Sequence, residues 1–145
     1  MRSAAQRRAD ALAKLEGDTD IWVATASDGV AHLVPLSMSW DGQDIVVSTE
    51  AASRTARNAA ASGQARVAAG TARDVVMVDA TVQAVPAAEA DADMVSRFVA
   101  RTGWDPSAEG GEWVYLRLRP KRVQVWDGVD ELPERTVMRD GRWLA

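Results

Sequence analysis

The sequence predicts an α+β protein built on an antiparallel β-barrel with flanking helices, and three observations carry that expectation. Short runs of β-branched and apolar residues follow one another through tight turns at Ser27-Asp28-Gly29 and Asp41-Gly42, the pattern of strands joined by hairpins. Residues 74–85 alternate, with Val76, Val78, Ala80, Val82 and Ala84 on one face and Asp79, Thr81 and Gln83 on the other, as a strand with one wet side requires. Helical patterns interrupt the strands rather than alternating with them, which points to a barrel with a crossover helix and not to a parallel sheet.

The composition sets the outer limits. At 145 residues, with 47% hydrophobic and 26% charged residues, the chain is expected to form one domain over 1–145 with a real core. A net charge of -4 argues against a nucleic-acid partner, because that affinity comes mainly from a basic patch that neutralises phosphates. The absence of cysteine excludes disulfides and thiolate chemistry, and a single histidine, His32, excludes a multi-histidine metal centre. His32 lies inside a strand pattern, where a structural role is the plainer reading than a catalytic one. No window resembles a signal peptide's apolar core or the ~20 apolar residues of a membrane span, so no membrane partner is expected and the expected location is cytoplasmic.

Taken in order, residues 3–16 read as an alanine-rich helix with Ala5, Leu12 and Leu15 on one side and Gly17 as its stop. Strands are expected at 21–26, 30–40 and 45–49. In the second, Pro35 marks an edge or bulge, and Ser37 and Ser39 face away from Leu36 and Met38. That small polar face suits either a flat ligand or solvent. A helix capped by Ser53 and stopped by Gly63 follows, then a strand at 65–70 and the long strand 74–85. A second helix is expected from near Pro86 to Thr102, with Met94, Val95, Phe98 and Val99 buried. Trp104 then sits on a loop, where a large aromatic is a candidate for ligand or partner contact. Strands at 112–119 and 122–126, separated by a turn at Pro120-Lys121, complete the sheet. The C-terminal tail, 129–145, ends in a hairpin signalled by Asp140-Gly141. Six tryptophans are more than a small core easily takes, which argues for a subunit interface or a flat aromatic ligand.

One stretch stands out chemically. Ser48 and Thr49 end a strand, and Ser53-Arg54-Thr55-Ala56-Arg57 opens a helix, so capping serine, hydroxyls, guanidiniums and the helix N-terminus converge on a phosphate-sized space. The plainer alternative is a capped surface helix with solvated arginines. No acid–base pair, nucleophile or metal set identifies a catalytic residue.

Three segments together resemble the pyridoxamine 5'-phosphate oxidase-like superfamily of flavin and deazaflavin (F420) oxidoreductases. They are HLVPLSMSWDG within residues 20–42, SRTARN at 53–58 with RDVVMVDATV at 73–82, and WVYLRLRPKRVQVW at 113–126. The resemblance implies a split β-barrel and a homodimer holding FMN or F420 in a groove between barrels. It implies that Ser48, Thr49, Ser53, Arg54, Thr55 and Arg57 bind the cofactor phosphate, that Pro35, Leu36 and Ser37 lie by the ring system, and that Trp104 closes the site from the other protomer. Thr55 stands where many relatives carry lysine, and the choice between FMN and F420 stays open. The implied activity is hydride transfer to a small planar or conjugated substrate, with no metal. A non-catalytic cofactor-binding protein and a dimeric interaction module with an empty groove are the alternatives.

Overall fold

Asp28 and Gly29 adopt φ of 50° and 76°, the paired left-handed conformations of a type I′ turn, and join β1 (Asp20–Ser27) to β2 (Val30–Trp40). This hairpin begins the sheet of a computed structural model that describes residues 1–145. The remaining strands are β3 (Ile45–Glu50), β4 (Gln64–Thr71), β5 (Asp74–Pro86), β6 (Trp113–Trp126), β7 (Thr136–Arg139) and β8 (Arg142–Trp143). Their order is β3-β2-β1-β4-β5-β6-β7-β8, every pairing antiparallel, and an additional β3–β6 ladder closes the first six strands into a barrel. Closure leaves these strands with few free edges. The chain is α+β with a closed antiparallel barrel and flanking helices, as its sequence predicts.

Alternation fills the interior. Val23, Ile45, Val47, Val67, Val76, Val78, Leu116, Leu118, Val123 and Val125 are each at most 1% exposed and form one cluster. Burying each such side chain contributes about 1.5–3 kcal/mol relative to exposure. Helix α1 (Ala4–Gly17) adds Ala11 and Leu15 to that cluster, and α2 (Arg54–Ser62) adds Ala59. Helix α3 (Ala92–Thr102) lies outside the barrel, where Met94 and Phe98 form a second small cluster with Val46 and Tyr115.

Several local expectations are corrected. The segments 112–119 and 122–126 are one continuous strand, β6, because Lys121 is accommodated as a bulge: Asp79 pairs with Arg122 and Ala80 with Pro120. Pro120 therefore sits where the ladder is already interrupted. Pro86 ends β5 instead of starting a helix; α3 is capped by Asp91, whose Oδ1 accepts from the Asp93 N–H at 3.1 Å. In α1 the buried side is Arg7, Ala11 and Leu15, Ala5 is exposed, Ser3 is the N-cap and the helix continues through Gly17 to a C-cap at Asp18. Ala84, expected on the buried face of β5, is exposed. Residues 129–145 keep their expected hairpin at the Asp140-Gly141 turn: a 3-10 segment over Val129–Glu134 leads into β7, which pairs with β6 and β8.

Candidate functional site

The β2–β3 ladder runs only from Met38↔Val47 to Trp40↔Ile45, whereas β1–β2 pairs over its whole length. Beyond Met38 and Val47 the two strands part. Leu36 and Ser37 are the next residues on one side of the split, Ser48 and Thr49 the next on the other, and α2 begins just past them. Two groups of residues separated by ten positions in sequence thus flank the end of one ladder, and none of the four lines the arginine cleft at the start of α2.

The N-terminus of α2 is built as its sequence implies. Ser53 is extended, at φ -64° and ψ 153°, and its Oγ accepts from the Ala56 N–H at 3.1 Å and from Thr49 Oγ1 at 3.2 Å. The Arg54 and Thr55 N–H groups precede the intrahelical ladder, so their dipoles face outward at the end of the helix. Arg54 and Arg57 are exposed, and with Asn58 and Ala61 of α2 and Ser27 and Val30 of the β1–β2 turn they line a cleft of about 500 Å³. No acidic residue lines it, and neither arginine forms an ion pair, so two positive charges face it unneutralised.

Other expected residues take different places. Ser48 is 2% exposed and its hydroxyl donates to the Val114 carbonyl at 2.8 Å. Thr55 is 1% exposed and belongs to the α2 face that packs inward, with Ala56, Asn58 and Ala59. Pro35 is exposed and pairs with Trp22, Leu36 packs on the barrel core and Ser37 is half-buried. Trp104 is partly buried within its own chain, with ring centroids 6.0 Å from Phe98 and 5.1 Å from Trp113, and its Nε1 donates to Glu109 Oε1 at 2.9 Å. Trp113 pairs with Glu50, which places this aromatic stack beside the end of β3. His32 pairs with Thr25 in the β1–β2 hairpin.

Sequence reasoning missed two features. Asn58 is 6% exposed and its Nδ2 donates to Thr25 Oγ1 at 3.2 Å, pinning α2 to β1; the available signal was an asparagine inside a helix, where its propensity is poor. The other is the outer face of the β1–β2 hairpin, where Trp22 and Leu33 are 49% and 60% exposed; Val30, paired with Ser27, lies on the opposite face. Its signal was the alternation of the hairpin itself. Tyr115, by contrast, is fully buried with an unpartnered hydroxyl; burial, reinforced by Asp105, pushes its pKa up. No group of three or more histidine, cysteine, aspartate or glutamate residues is arranged to hold a metal, and no helix is long and apolar enough to cross a membrane.

The family model for pyridoxamine 5'-phosphate oxidase matches residues 9–127, which include the whole barrel and the arginine cleft. The chain belongs to the pyridoxamine 5'-phosphate oxidase family. Solved structures with the same fold include an F420 reductase, at 18% identity over 77% of this chain and 93% of that one, with a TM-score of 0.64. They include a FAD-binding protein of Mesorhizobium loti, at 18% identity over 79% and 90%, TM-score 0.59. They also include the haem storage protein of Vibrio cholerae, at 17% identity over 86% and 95%, TM-score 0.63. At these identities the likeness is one of fold. No curated protein matches the chain by sequence. The family resemblance read from the sequence is borne out.

Proposed function

We propose that this protein binds FMN or F420 and uses it as an oxidoreductase. The observation that carries the reading is the pair Arg54 and Arg57 at the start of α2, two unneutralised guanidiniums on an acid-free cleft. They fit a cofactor phosphate, each able to form charge-assisted hydrogen bonds, with the helix N-terminus adding attraction. When bound, the cofactor supplies the hydride chemistry. The protein's own residues hold its tail through Arg54, Arg57 and the Ser53-capped turn, and present the split flanked by Leu36, Ser37 and Thr49 to its ring. A small planar or conjugated molecule is the substrate class we propose.

A homodimer belongs to this reading. The exposed Trp22 and Leu33 form an apolar outer face on the hairpin, while Ser27 and Val30 at its turn line the arginine cleft from the other face. A second copy packed there would cover the apolar surface and close the cofactor site. Trp104, stacked on Trp113 beside β3, is the residue we assign to the rim of the groove.

Titration of the purified protein with FMN and, separately, with F420 tests the assignment through ligand fluorescence and tryptophan quenching. Saturable binding of one identifies the cofactor, and a reduction assay with that cofactor and candidate acceptors follows. Binding of neither overturns the reading. A second reading, cofactor or tetrapyrrole binding without turnover, is favoured by the absence of an acid–base pair at the split and by the fold shared with a haem storage protein. Binding without acceptor reduction would select it.

A further inference from the structure

Ser39 is 2% exposed, and its hydroxyl has no hydrogen-bond partner. Its neighbours Met38 and Trp40 belong to the barrel interior, so alternation turns Ser39 outward, toward α3. Its cross-strand partner Val46 packs with Met94 and Phe98 of that helix, which confirms the direction. A buried hydroxyl without a partner is destabilising, since its lost hydration is not replaced. It lies under a groove that the arginine cleft of α2 does not touch.

The groove has two limbs that meet at Ser39, Asp93 and Arg97. The wider, of about 660 Å³, runs between α3 and the end of α1 and adds Arg101 and Glu16; the narrower, of about 240 Å³, adds Arg117, Asp41 and Asp91. Asp93 precedes Arg97 by four residues, the order that favours an ion pair along a helix. No such pair forms, and Arg101 and Glu16 are equally without ionic partners. In the narrower limb the Arg117 Nε is buried, has no hydrogen-bond partner and stands 4.0 Å from Asp44 Oδ2. The groove thus presents donors and acceptors of both signs that do not satisfy one another. The wider limb is of a size that takes a small molecule.

We propose that this groove binds a small zwitterion, the ammonium–carboxylate pair of a free α-amino acid. A simple anion would meet Asp93 and Glu16, and a simple cation would meet Arg97 and Arg101. A zwitterion meets each with its opposite. Its carboxylate takes Arg97, Arg101 and the Ser39 hydroxyl as donors; its ammonium takes Asp93 and Glu16 as acceptors. The site is separate from the cofactor cleft, and its occupancy would act on α3 and the outer face of β2 and β3.

Isothermal titration of the full chain with each common amino acid, and with inorganic phosphate, tests the proposal. The expected result is saturable binding of at least one amino acid. It should weaken about 10-fold or more in both Ser39→Ala and Arg97→Gln, since each side chain donates a charge-assisted hydrogen bond to the carboxylate. Ser39→Ala should melt at the same temperature as the parent or higher, because its hydroxyl has no partner to lose, and FMN or F420 uptake should be unchanged. Three results each overturn the proposal: no amino acid binds; phosphate binds as tightly as any amino acid; or Ser39→Ala binds like the parent. A marked fall in the Ser39→Ala melting temperature overturns it too, since the hydroxyl would then be structural.

Discussion

Glu131, 0% exposed, receives the Arg2 guanidinium through Nε at 3.0 Å and Nη2 at 2.8 Å, joining residues 129 positions apart. Its carboxylate also accepts the Arg2 backbone N–H at 2.9 Å and the Asp127 N–H at 3.0 Å. Beside it, buried Arg7 donates to the carbonyls of Arg2 at 2.5 Å and Glu134 at 2.8 Å. The N-terminal residues and the segment leading into β7 are thereby one unit. Glu131→Ala leaves the Arg2 and Asp127 N–H groups without their acceptor and leaves the Arg2 guanidinium only Asp10 and Asp127 as ionic partners, and should lower unfolding free energy by about 1–3 kcal/mol; urea denaturation monitored by tryptophan fluorescence measures it.

The same pair predicts an acid response. The Arg2 guanidinium, with the two backbone donors, holds the Glu131 carboxyl well below the usual carboxylate range, and hydrogen bonds from Arg2 and Gln6 lower Asp10 as well. A carboxylate whose pKa is depressed on folding contributes stability that is complete above its unfolded value, about 4.3 for glutamate. That contribution is lost as pH falls below this value toward the folded pKa. Urea midpoints should therefore fall below about pH 4.3, with a shallower decline in Glu131→Gln; equal slopes in the two proteins would refute the linkage.

At the cofactor cleft, Arg54→Ala and Arg57→Ala should each weaken phosphate-tailed cofactor binding by about 1.5–3 kcal/mol, roughly 10- to 150-fold, with little change in stability because both side chains are exposed. Titration of each variant, followed by fluorescence, reads the loss. Unchanged affinity in the double variant would remove the phosphate from this cleft.

Ser53→Ala removes the acceptor of both the Ala56 N–H and the Thr49 hydroxyl, so it should cost about 1 kcal/mol of stability and loosen the same turn. Thermal unfolding supplies the first quantity, and a cofactor titration shows whether the cap positions the arginines.

If Trp22 and Leu33 are covered by a second copy, Trp22→Glu with Leu33→Glu should convert dimer to monomer in light scattering while leaving the barrel folded by circular dichroism. Both side chains point away from the core, so the fold has no need of them. A parent protein that is itself monomeric would refute the interface.

Gly70 has φ of 84°, and a Cβ there would meet the backbone carbonyl oxygen of Asp74 across the β4–β5 turn. Gly70→Ala combines the left-handed penalty of about 1–2 kcal/mol with that clash, and should lower the melting temperature more than Gly29→Ala, whose added Cβ meets nothing.

Much of this molecule is written in local chemistry. The alternation of β2 and β5, the Asp28-Gly29 and Asp140-Gly141 turns, and the Ser53 and Gly63 caps depend on residues within a few positions of one another, so the sequence alone determined the antiparallel barrel, the frame of α2 and its two arginines. Where the rules competed, tertiary context decided. Pro120 reads locally as a turn, yet ladders to β5 on both sides of the bulge hold β6 straight through it. Pro86 reads as a helix start, yet its strand continues to pair with Val114. Ser39 reads as a wet strand face until α3, more than fifty residues later, covers it. The burial of Thr55 and Ser48, the Asn58–Thr25 bond and the Arg2–Glu131 pair are likewise decided only by the fold, because each depends on which distant surface meets a residue: β6 closing on β3 for Ser48, α2 packing on β1 for Asn58, and the segment before β7 meeting the N-terminus for Arg2, none of them a local preference.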